Sequence, residues 1–103
     1  MEQITVQELK EKLNKSKIDL IDVRTIEEVE ICKIKGSIDI VMNDIPNKVN
    51  LLDKKKLYAV ICHSGIRSYR VVEYLNSIGY NAVNVIGGIH AWATEIDNNM
   101  KRY

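Results

Sequence analysis

The sequence predicts a three-layer α/β fold, with a central, mostly parallel sheet of about five strands flanked by helices. Two observations support this prediction. Short runs of aliphatic and β-branched residues alternate along the chain with segments whose apolar residues have helical spacing. The connections between these segments are short, and parallel strands need such helical crossovers. At 103 residues the chain is long enough for one domain and too short for two, so we expect a single domain over residues 1–103.

Two capping boxes indicate where the first two helices begin. Thr5 and Glu8 have the spacing at which each side chain accepts a hydrogen bond from the backbone N–H of the other, and apolar residues follow at helical intervals. Thr25 and Glu28 repeat this pattern directly after a strand-like run, residues 18–23. The second box therefore predicts a short helix after a strand.

Three further runs are predicted to be strands because they are short and rich in aliphatic residues. They are residues 37–41, 57–61 and 82–86. Between the first two, Asn43 and Asp44 are candidates to cap a turn of helix that contains Pro46 in its first turn.

The apolar spacing over residues 71–78 predicts the next helix. Gly79 follows it, where a left-handed C-terminal cap needs a residue without a Cβ. Gly87 and Gly88 predict a turn, and residues 89–96 form the last predicted helix.

Composition excludes several classes of partner. The net charge is +1 and the pI is about 7.7, so the overall field gives no reason to expect nucleic acid. No apolar run approaches the roughly 18 residues of a membrane span, and the polar start of the chain does not resemble a signal peptide. Two cysteines without a C-x-x-C pair do not make a disulfide framework, so we expect a cytoplasmic setting.

The chemistry is predicted to lie in the stretch ICHSGIRSYR, residues 61–70. It joins the strand at 57–61 to the next helix. In open α/β sheets, ligands bind outside the carboxyl ends of the strands, which is where Cys62 falls. On its own, Cys62 is expected to be a buried and inert core cysteine, and the residues that accompany it reverse that expectation.

The residues after Cys62 form a candidate anion-binding nest. Backbone N–H groups that point inward before a helix N-terminus favour an anion, and Gly65 can take the positive φ that such a loop requires. Ser64 and Ser68 offer hydroxyl donors, Ser68 is a candidate helix cap, and Arg67 adds a permanent positive charge. Such surroundings lower the pKa of a thiol, and a thiolate is both a nucleophile and a carrier for a second sulfur atom.

This loop resembles the rhodanese active-site pattern C-x-x-G-x-R-S, here Cys62-His63-Ser64-Gly65-Ile66-Arg67-Ser68. Four residues separate the cysteine from the arginine, whereas protein tyrosine phosphatases have five. One residue adds up to about 3.5 Å of chain, which widens the loop enough for a phosphoryl group. A persulfide adds a single sulfur about 2.05 Å from Sγ, so the shorter loop favours sulfur over phosphate or arsenate chemistry.

Three other segments resemble single-domain rhodaneses in the expected order. Residues 20–24 with the following glutamates are similar to L-I-D-V-R-x-x-x-E, residues 33–37 to H-I-x-G-A, and residues 85–92 to a closing G-G-[IM]-x-x-W. Residues 4–9 also resemble the family's opening strand and helix. The chain departs from the family at Val29, which replaces an aromatic residue, and at Cys32 and Lys33, which replace glycine and histidine.

The resemblance implies a rhodanese-like fold and sulfane sulfur transfer through a persulfide on Cys62. A small anionic donor such as thiosulfate would load the sulfur, and a thiol, cyanide or a protein thiol would remove it. The alternatives are a persulfide carrier that serves a partner protein, and a cysteine-dependent phosphatase or arsenate reductase. No cofactor and no metal are predicted, because neither His63 nor His90 has metal-ligand spacing to a cysteine.

Roles remain open for several residues near this loop. Asp22 and Arg24 are either a supporting ion pair beside the crevice or an ordinary surface pair. Cys32 is expected to be a structural thiol, with a resolving redox role as the alternative. His63 is expected to line the pocket rim rather than act as an acid or base.

Three aromatic residues are expected to be core anchors rather than ligand contacts. They are Tyr58, Tyr80 and Trp92.

Overall fold

The computed structural model, which describes residues 3–103, has one five-stranded sheet in which every pairing is parallel. The strand order is β1-β5-β4-β2-β3, so β4 is central. The predicted α/β class is therefore confirmed. The strands are β1 (Gln3–Ile4), β2 (Asp19–Asp22), β3 (Ile38–Asp39), β4 (Leu57–Ile61) and β5 (Asn81–Val85).

Within the described residues, five α-helices connect and cover the strands. They are α1 (Val6–Asn14), α2 (Ile26–Ile31), α3 (Ile45–Lys48), α4 (Ile66–Ser77) and α5 (Gly88–Glu95). The irregular segment after β3 contains α3 between two 3₁₀ turns, Met42–Asp44 and Val49–Leu51. Pro46 lies in the first turn of α3 as expected, but Asp44 makes no side-chain cap, because the preceding 3₁₀ turn already leads into the helix.

Both predicted capping boxes are present. The Thr5 hydroxyl accepts from Glu8 N at 3.1 Å, and the Glu8 carboxylate accepts from Thr5 N at 3.0 Å. The corresponding distances for Thr25 and Glu28 are 3.3 and 3.2 Å. Each box satisfies backbone donors that the first turn of a helix leaves without partners.

The end of α4 also forms as predicted. Gly79 has a φ of +94°, and Tyr80 N donates to Leu75 O at 3.0 Å while Gly79 N donates to Asn76 O at 3.3 Å. This pair of bonds is the Schellman motif, which turns the chain directly into β5.

The sheet separates two layers of apolar packing. Because side chains alternate along a strand, Tyr58 and Val60 of β4 pack in the layer that contains α3 and α4, and Ala59 and Ile61 pack in the layer that contains α1 and α5. Cys62 continues the alternation toward α4.

The three aromatic residues expected to be core anchors are buried in these layers: Tyr58, Tyr80 and Trp92. The hydroxyl groups of the two tyrosines also form hydrogen bonds. Tyr58 accepts from Asp53 N at 2.8 Å, and Tyr80 donates to Val49 O at 2.7 Å. Within residues 3–103, no helix is both long enough and apolar enough to cross a membrane.

Thr5→Ala should lower the free energy of unfolding by about 1 kcal/mol, because the substitution removes one half of the first capping box. Thr5→Ser keeps the hydroxyl and is the matched control, for which we expect little change. Urea denaturation of the two variants measures the difference. Equal stability of Thr5→Ala and the parent protein would contradict this account of the start of α1.

Candidate active site

Cys62 directly follows the central strand and lies at the carboxyl edge of the sheet, as the sequence predicted. In the register, Ile61 pairs with Asp22, so the ends of β4 and β2 lie side by side. The Cys62 side chain is only 1% exposed. The thiol is therefore buried immediately after the end of the central strand.

Gly65 turns the backbone that follows Cys62 back toward the Cys62 sulfur. It is the N-cap of α4, with a φ of +112° that side-chain-bearing residues rarely adopt. In this conformation Gly65 N donates to Cys62 Sγ at 3.1 Å. The predicted left-handed glycine is therefore present, and it points an amide at the thiol.

Ser68 is not the helix cap that the sequence suggested. Gly65 takes the cap position, so α4 begins at Ile66 and Ser68 lies inside its first turn. The Ser68 side chain is fully buried, with Oγ 3.3 Å from Cys62 Sγ and 2.6 Å from Asn84 Oδ1. The serine thus faces the thiol instead of the free end of the helix.

These donors decide the ionisation of Cys62. Burial of the sulfur opposes its charged form, but hydrogen bonds from the Ser68 hydroxyl and from the amides of Ser68, Gly65 and Ser64 outweigh burial. Their combined effect is a pKa of the Cys62 thiol below its ordinary value. The loop therefore favours the thiolate form of Cys62, which also interacts electrostatically with Arg67.

Asn84 organises the far side of the loop and was missed by the sequence analysis. It is a buried polar residue of β5, and its amide donates to Gly65 O at 3.2 Å and to Gln3 Oε1 at 3.1 Å. Its Oδ1 accepts from the Ser68 hydroxyl at 2.6 Å, so the one proton of that hydroxyl is shared between Asn84 Oδ1 and Cys62 Sγ. The available signal was an asparagine inside the apolar run 82–86, because a polar side chain in a buried strand needs a specific partner.

Gly88 lets α5 approach the backbone of the Cys62 loop. Ile89 N donates to Cys62 O at 2.8 Å, and His90 N donates to His63 O at 3.1 Å. A Cβ at Gly88 would lie 2.5 Å from both of those carbonyl oxygens. The second glycine of the Gly-Gly pair is therefore needed for close contact and begins α5, whereas the sequence analysis assigned it to a turn.

Arg67 is paired with a carboxylate. Its Nη1 and Nη2 donate to the two carboxylate oxygens of Glu28 at 2.6 and 2.9 Å. Chiefly through these bonds, Arg67 holds the pKa of Glu28 well below its usual range, and Glu28 raises the pKa of Arg67. The predicted positive charge is present at the loop, but it is shared with Glu28, for which the sequence predicted a capping box and a place in the family-like stretch after Arg24 and no contact with the loop.

Asp22 and Arg24 form a buried ion pair, so the surface-pair alternative is wrong. Arg24 Nε and Nη2 donate to Asp22 Oδ1 and Oδ2 at 3.0 and 2.8 Å, and both residues are 1% exposed. Arg24 also donates to Cys32 O at 2.6 Å and to Glu28 O at 3.2 Å. The pair therefore fixes α2 to the end of β2, and it reaches the Cys62 loop through Glu28.

Tyr103 is the second residue that the sequence analysis missed. Its hydroxyl donates to Glu28 Oε2 at 2.7 Å and accepts from Arg24 Nη1 at 3.1 Å. Its ring stacks on His63 with centroids 4.2 Å apart and an interplanar angle of 18°. Burial raises the pKa of Tyr103 to about 12, so the phenol stays protonated at neutral pH.

His63 and Cys32 lie on the Tyr103 side of the loop. Both are half-buried, and the edge of His90 meets the His63 ring at 6.1 Å. Cys32 Sγ lies 3.9 Å from Arg24 Nη1, which adds to the packing of the ion pair. Among residues 3–103, no three metal-ligating side chains form a cluster.

Comparison with known proteins agrees with this geometry. Residues 5–95 match the family described as "Rhodanese-like domain". The match covers most of the chain and includes the Cys62 loop. The protein belongs to the rhodanese-like domain family.

Two curated proteins and one solved structure illustrate the relationship. "Putative sulfurtransferase YtwF" of Bacillus subtilis is 45% identical, over 92% of this chain and 93% of that protein. "Putative sulfur carrier protein YrkF" of Bacillus subtilis is 30% identical, over 87% of this chain and 50% of that protein. The crystal structure of a rhodanese-like domain protein from Staphylococcus aureus has a TM-score of 0.86 at 46% identity, covering 89% of this chain and 91% of that one.

Ser68→Ala should raise the pKa of Cys62, because it removes a hydrogen bond to the thiolate. The pH dependence of iodoacetamide alkylation at Cys62, read by peptide mass spectrometry, measures this shift. The midpoint should move to higher pH. Ser64→Ala is the matched control, since the Ser64 contribution comes from its amide, and it should leave the midpoint in place. An unchanged midpoint in Ser68→Ala would contradict the assignment of the hydroxyl.

Gly88→Ala should destabilise the fold more than Gly36→Ala. Both glycines have positive φ, +58° and +88°, so each alanine costs about 1–2 kcal/mol in backbone strain. A Cβ at Gly36 meets nothing within 4 Å, whereas a Cβ at Gly88 overlaps two carbonyl oxygens. Thermal denaturation of the two variants compares them. Equal melting temperatures of Gly88→Ala and Gly36→Ala would contradict the close contact between α5 and the Cys62 loop.

Proposed function

We propose that this protein is a rhodanese-type sulfurtransferase that carries sulfane sulfur as a persulfide on Cys62. The observation that carries the proposal is the set of hydrogen-bond donors that converge on the buried Cys62 sulfur and lower its pKa. A relative named as a sulfurtransferase, similar over nearly the full length of both chains, supports sulfur transfer as the general activity.

The loading step is a displacement at sulfur. The Cys62 thiolate attacks the outer sulfur of a donor such as thiosulfate, and an S–S bond forms at Sγ. The S–S bond of the donor breaks, and sulfite leaves with its electron pair. The step needs no external oxidant, because the oxidised sulfur is supplied by the donor.

The unloading step returns the enzyme to its starting state. An acceptor nucleophile, either cyanide or a thiolate, attacks the outer sulfur of the persulfide. The electron pair of the broken S–S bond returns to Cys62 Sγ, which becomes a thiolate again. Thiocyanate or a new persulfide leaves, and atoms and electrons balance over the cycle.

The loop amides fit the persulfide better than a larger group. A persulfide places its outer sulfur about 2.05 Å beyond Sγ, within the arc formed by the backbone of residues 64–68. The outer sulfur carries negative charge when ionised, and inward-facing amides stabilise an anion there. We assign the cradle to these amides and the anion-attracting charge to Arg67, moderated by its bond to Glu28.

The direct test is mass spectrometry after incubation with thiosulfate in the absence of reducing agent. One added sulfur on Cys62, removed by cyanide with release of thiocyanate, is the expected result. Cys32→Ser should load like the parent protein, and Cys62→Ser should not load. Absence of the adduct in folded protein, together with absence of thiocyanate formation, would contradict the proposal.

A second candidate is a persulfide carrier that delivers sulfur to a partner protein rather than turning over small molecules. The observation in its favour is a set of exposed apolar side chains beside the loop: Ile66 is 70% exposed, Ile86 48% and Tyr69 41%. A relative named as a sulfur carrier protein fits the same reading. Slow transfer to cyanide and glutathione, with fast transfer to a protein thiol, would favour this candidate over the first.

A further inference from the structure

Glu28 brings a carboxylate to the Cys62 loop from the neighbouring helix α2. Both of its oxygens accept hydrogen bonds from Arg67, at 2.6 Å from Nη1 and 2.9 Å from Nη2. A guanidinium that bonds one carboxylate through two nitrogens forms a strong and directional pair. The positive charge of the loop therefore faces an equal negative charge from α2.

The Glu28 carboxylate is fixed in place by donors other than Arg67. Its Oε1 accepts from Thr25 N at 3.2 Å, and its Oε2 accepts from the Tyr103 hydroxyl at 2.7 Å. Chiefly through Arg67, the pKa of Glu28 lies well below its usual range, so the group is ionised at neutral pH. The side chain is only 18% exposed, so salt screens its charge incompletely.

The charge of Arg67 acts at the Cys62 sulfur. Arg67 lies directly before Ser68, whose Oγ is 3.3 Å from Cys62 Sγ. The pKa of Arg67 is raised most by Glu28, and the Cys62 thiolate adds to this shift by electrostatic attraction. A change in the charge around Arg67 therefore changes the potential that an anion meets as it approaches Cys62.

We propose that Glu28 is a specificity-determining residue that acts through Arg67: its carboxylate balances the guanidinium and weakens the attraction of the Cys62 loop for small anions. This inference rests on the proposed sulfur transfer for the identity of those anions as sulfur donors. Thiosulfate carries two negative charges and is affected most. A persulfide donor, whose reactive group carries at most one, is affected less.

Two alkylating reagents of similar size test this balance without sulfur chemistry. Iodoacetate carries one negative charge and iodoacetamide none, so the ratio of their rates at Cys62 reports the local potential. The ratio does not depend on the pKa of Cys62, because both reagents need the same thiolate. Peptide mass spectrometry separates Cys62 from Cys32.

Glu28→Gln removes the charge and keeps an oxygen for the capping box, which glutamine also forms. The ratio of iodoacetate to iodoacetamide rates should rise about threefold in about 0.1 M salt, as expected for the loss of one partly screened charge near the site. A purely structural effect of the substitution would change both rates alike.

Two further variants are the controls. Glu27→Gln removes the same charge from the adjacent, exposed position of α2, and its ratio should stay within about 1.5-fold of the parent value. Arg67→Gln should lower the ratio. The double variant of Glu28→Gln with Arg67→Gln should bring the ratio back toward the parent value, because one neutral pair replaces another.

The same variants are then loaded with thiosulfate under single-turnover conditions. Coulomb energy is proportional to charge, so a dianion responds as the square of the monoanion effect. The second-order rate constant for loading Cys62 should therefore rise about ninefold in Glu28→Gln.

Three results would overturn the role of Glu28, even if the parent protein loads sulfur normally. The first is an unchanged or lower alkylation ratio in folded Glu28→Gln. The second is an equal rise in Glu27→Gln, which would show an effect of overall charge. The third is a higher ratio without faster loading by thiosulfate. Failure of every variant to load, with the expected alkylation ratios, would instead contradict the sulfurtransferase proposal.

Discussion

The site depends on the hydrogen bonds that converge on a buried sulfur. A thiolate removed from water is costly unless donors replace its hydration, and here the Ser68 hydroxyl and the loop amides supply them. The other special features of the loop follow from this need. Gly65 must adopt a left-handed conformation to aim its amide at Sγ, and Gly88 must lack a side chain so that α5 can bond to the loop carbonyls. The lowered pKa of the Cys62 thiol therefore depends on the backbone as much as on the cysteine.

A second layer of charges keeps that loop in place. Arg24 and Asp22 form a buried pair at the end of β2, and Arg24 extends to the backbone of α2. From α2, the Glu28 carboxylate reaches Arg67 in the first turn of α4. Removing one partner of a buried pair leaves an uncompensated charge, so these contacts couple the positions of β2, α2 and the loop. The same chain of contacts explains why Arg67 is not a free cation.

Much of this structure could be predicted from local sequence patterns. The capping boxes, the Gly79 helix end and the alternation of strands and helices are set by residues a few positions apart, and the four-residue interval from Cys62 to Arg67 limits the size of the loop. The partners of the loop could not be predicted in this way. Asn84 and Tyr103 reach the site through contacts spanning 16 and 75 residues, which only the assembled sheet brings together. The prediction that Ser68 caps α4 is wrong, because Gly65 takes the N-cap position three residues earlier.

The central claim is that the loop holds the outer sulfur of a Cys62 persulfide against its amides. A crystal structure of the protein after treatment with thiosulfate tests this most directly. The account predicts one additional sulfur about 2.05 Å from Cys62 Sγ, inside the arc of residues 64–68 and within hydrogen-bonding distance of their N–H groups. A sulfur that points away from the loop, or a modified Cys32 beside an unmodified Cys62, would contradict it.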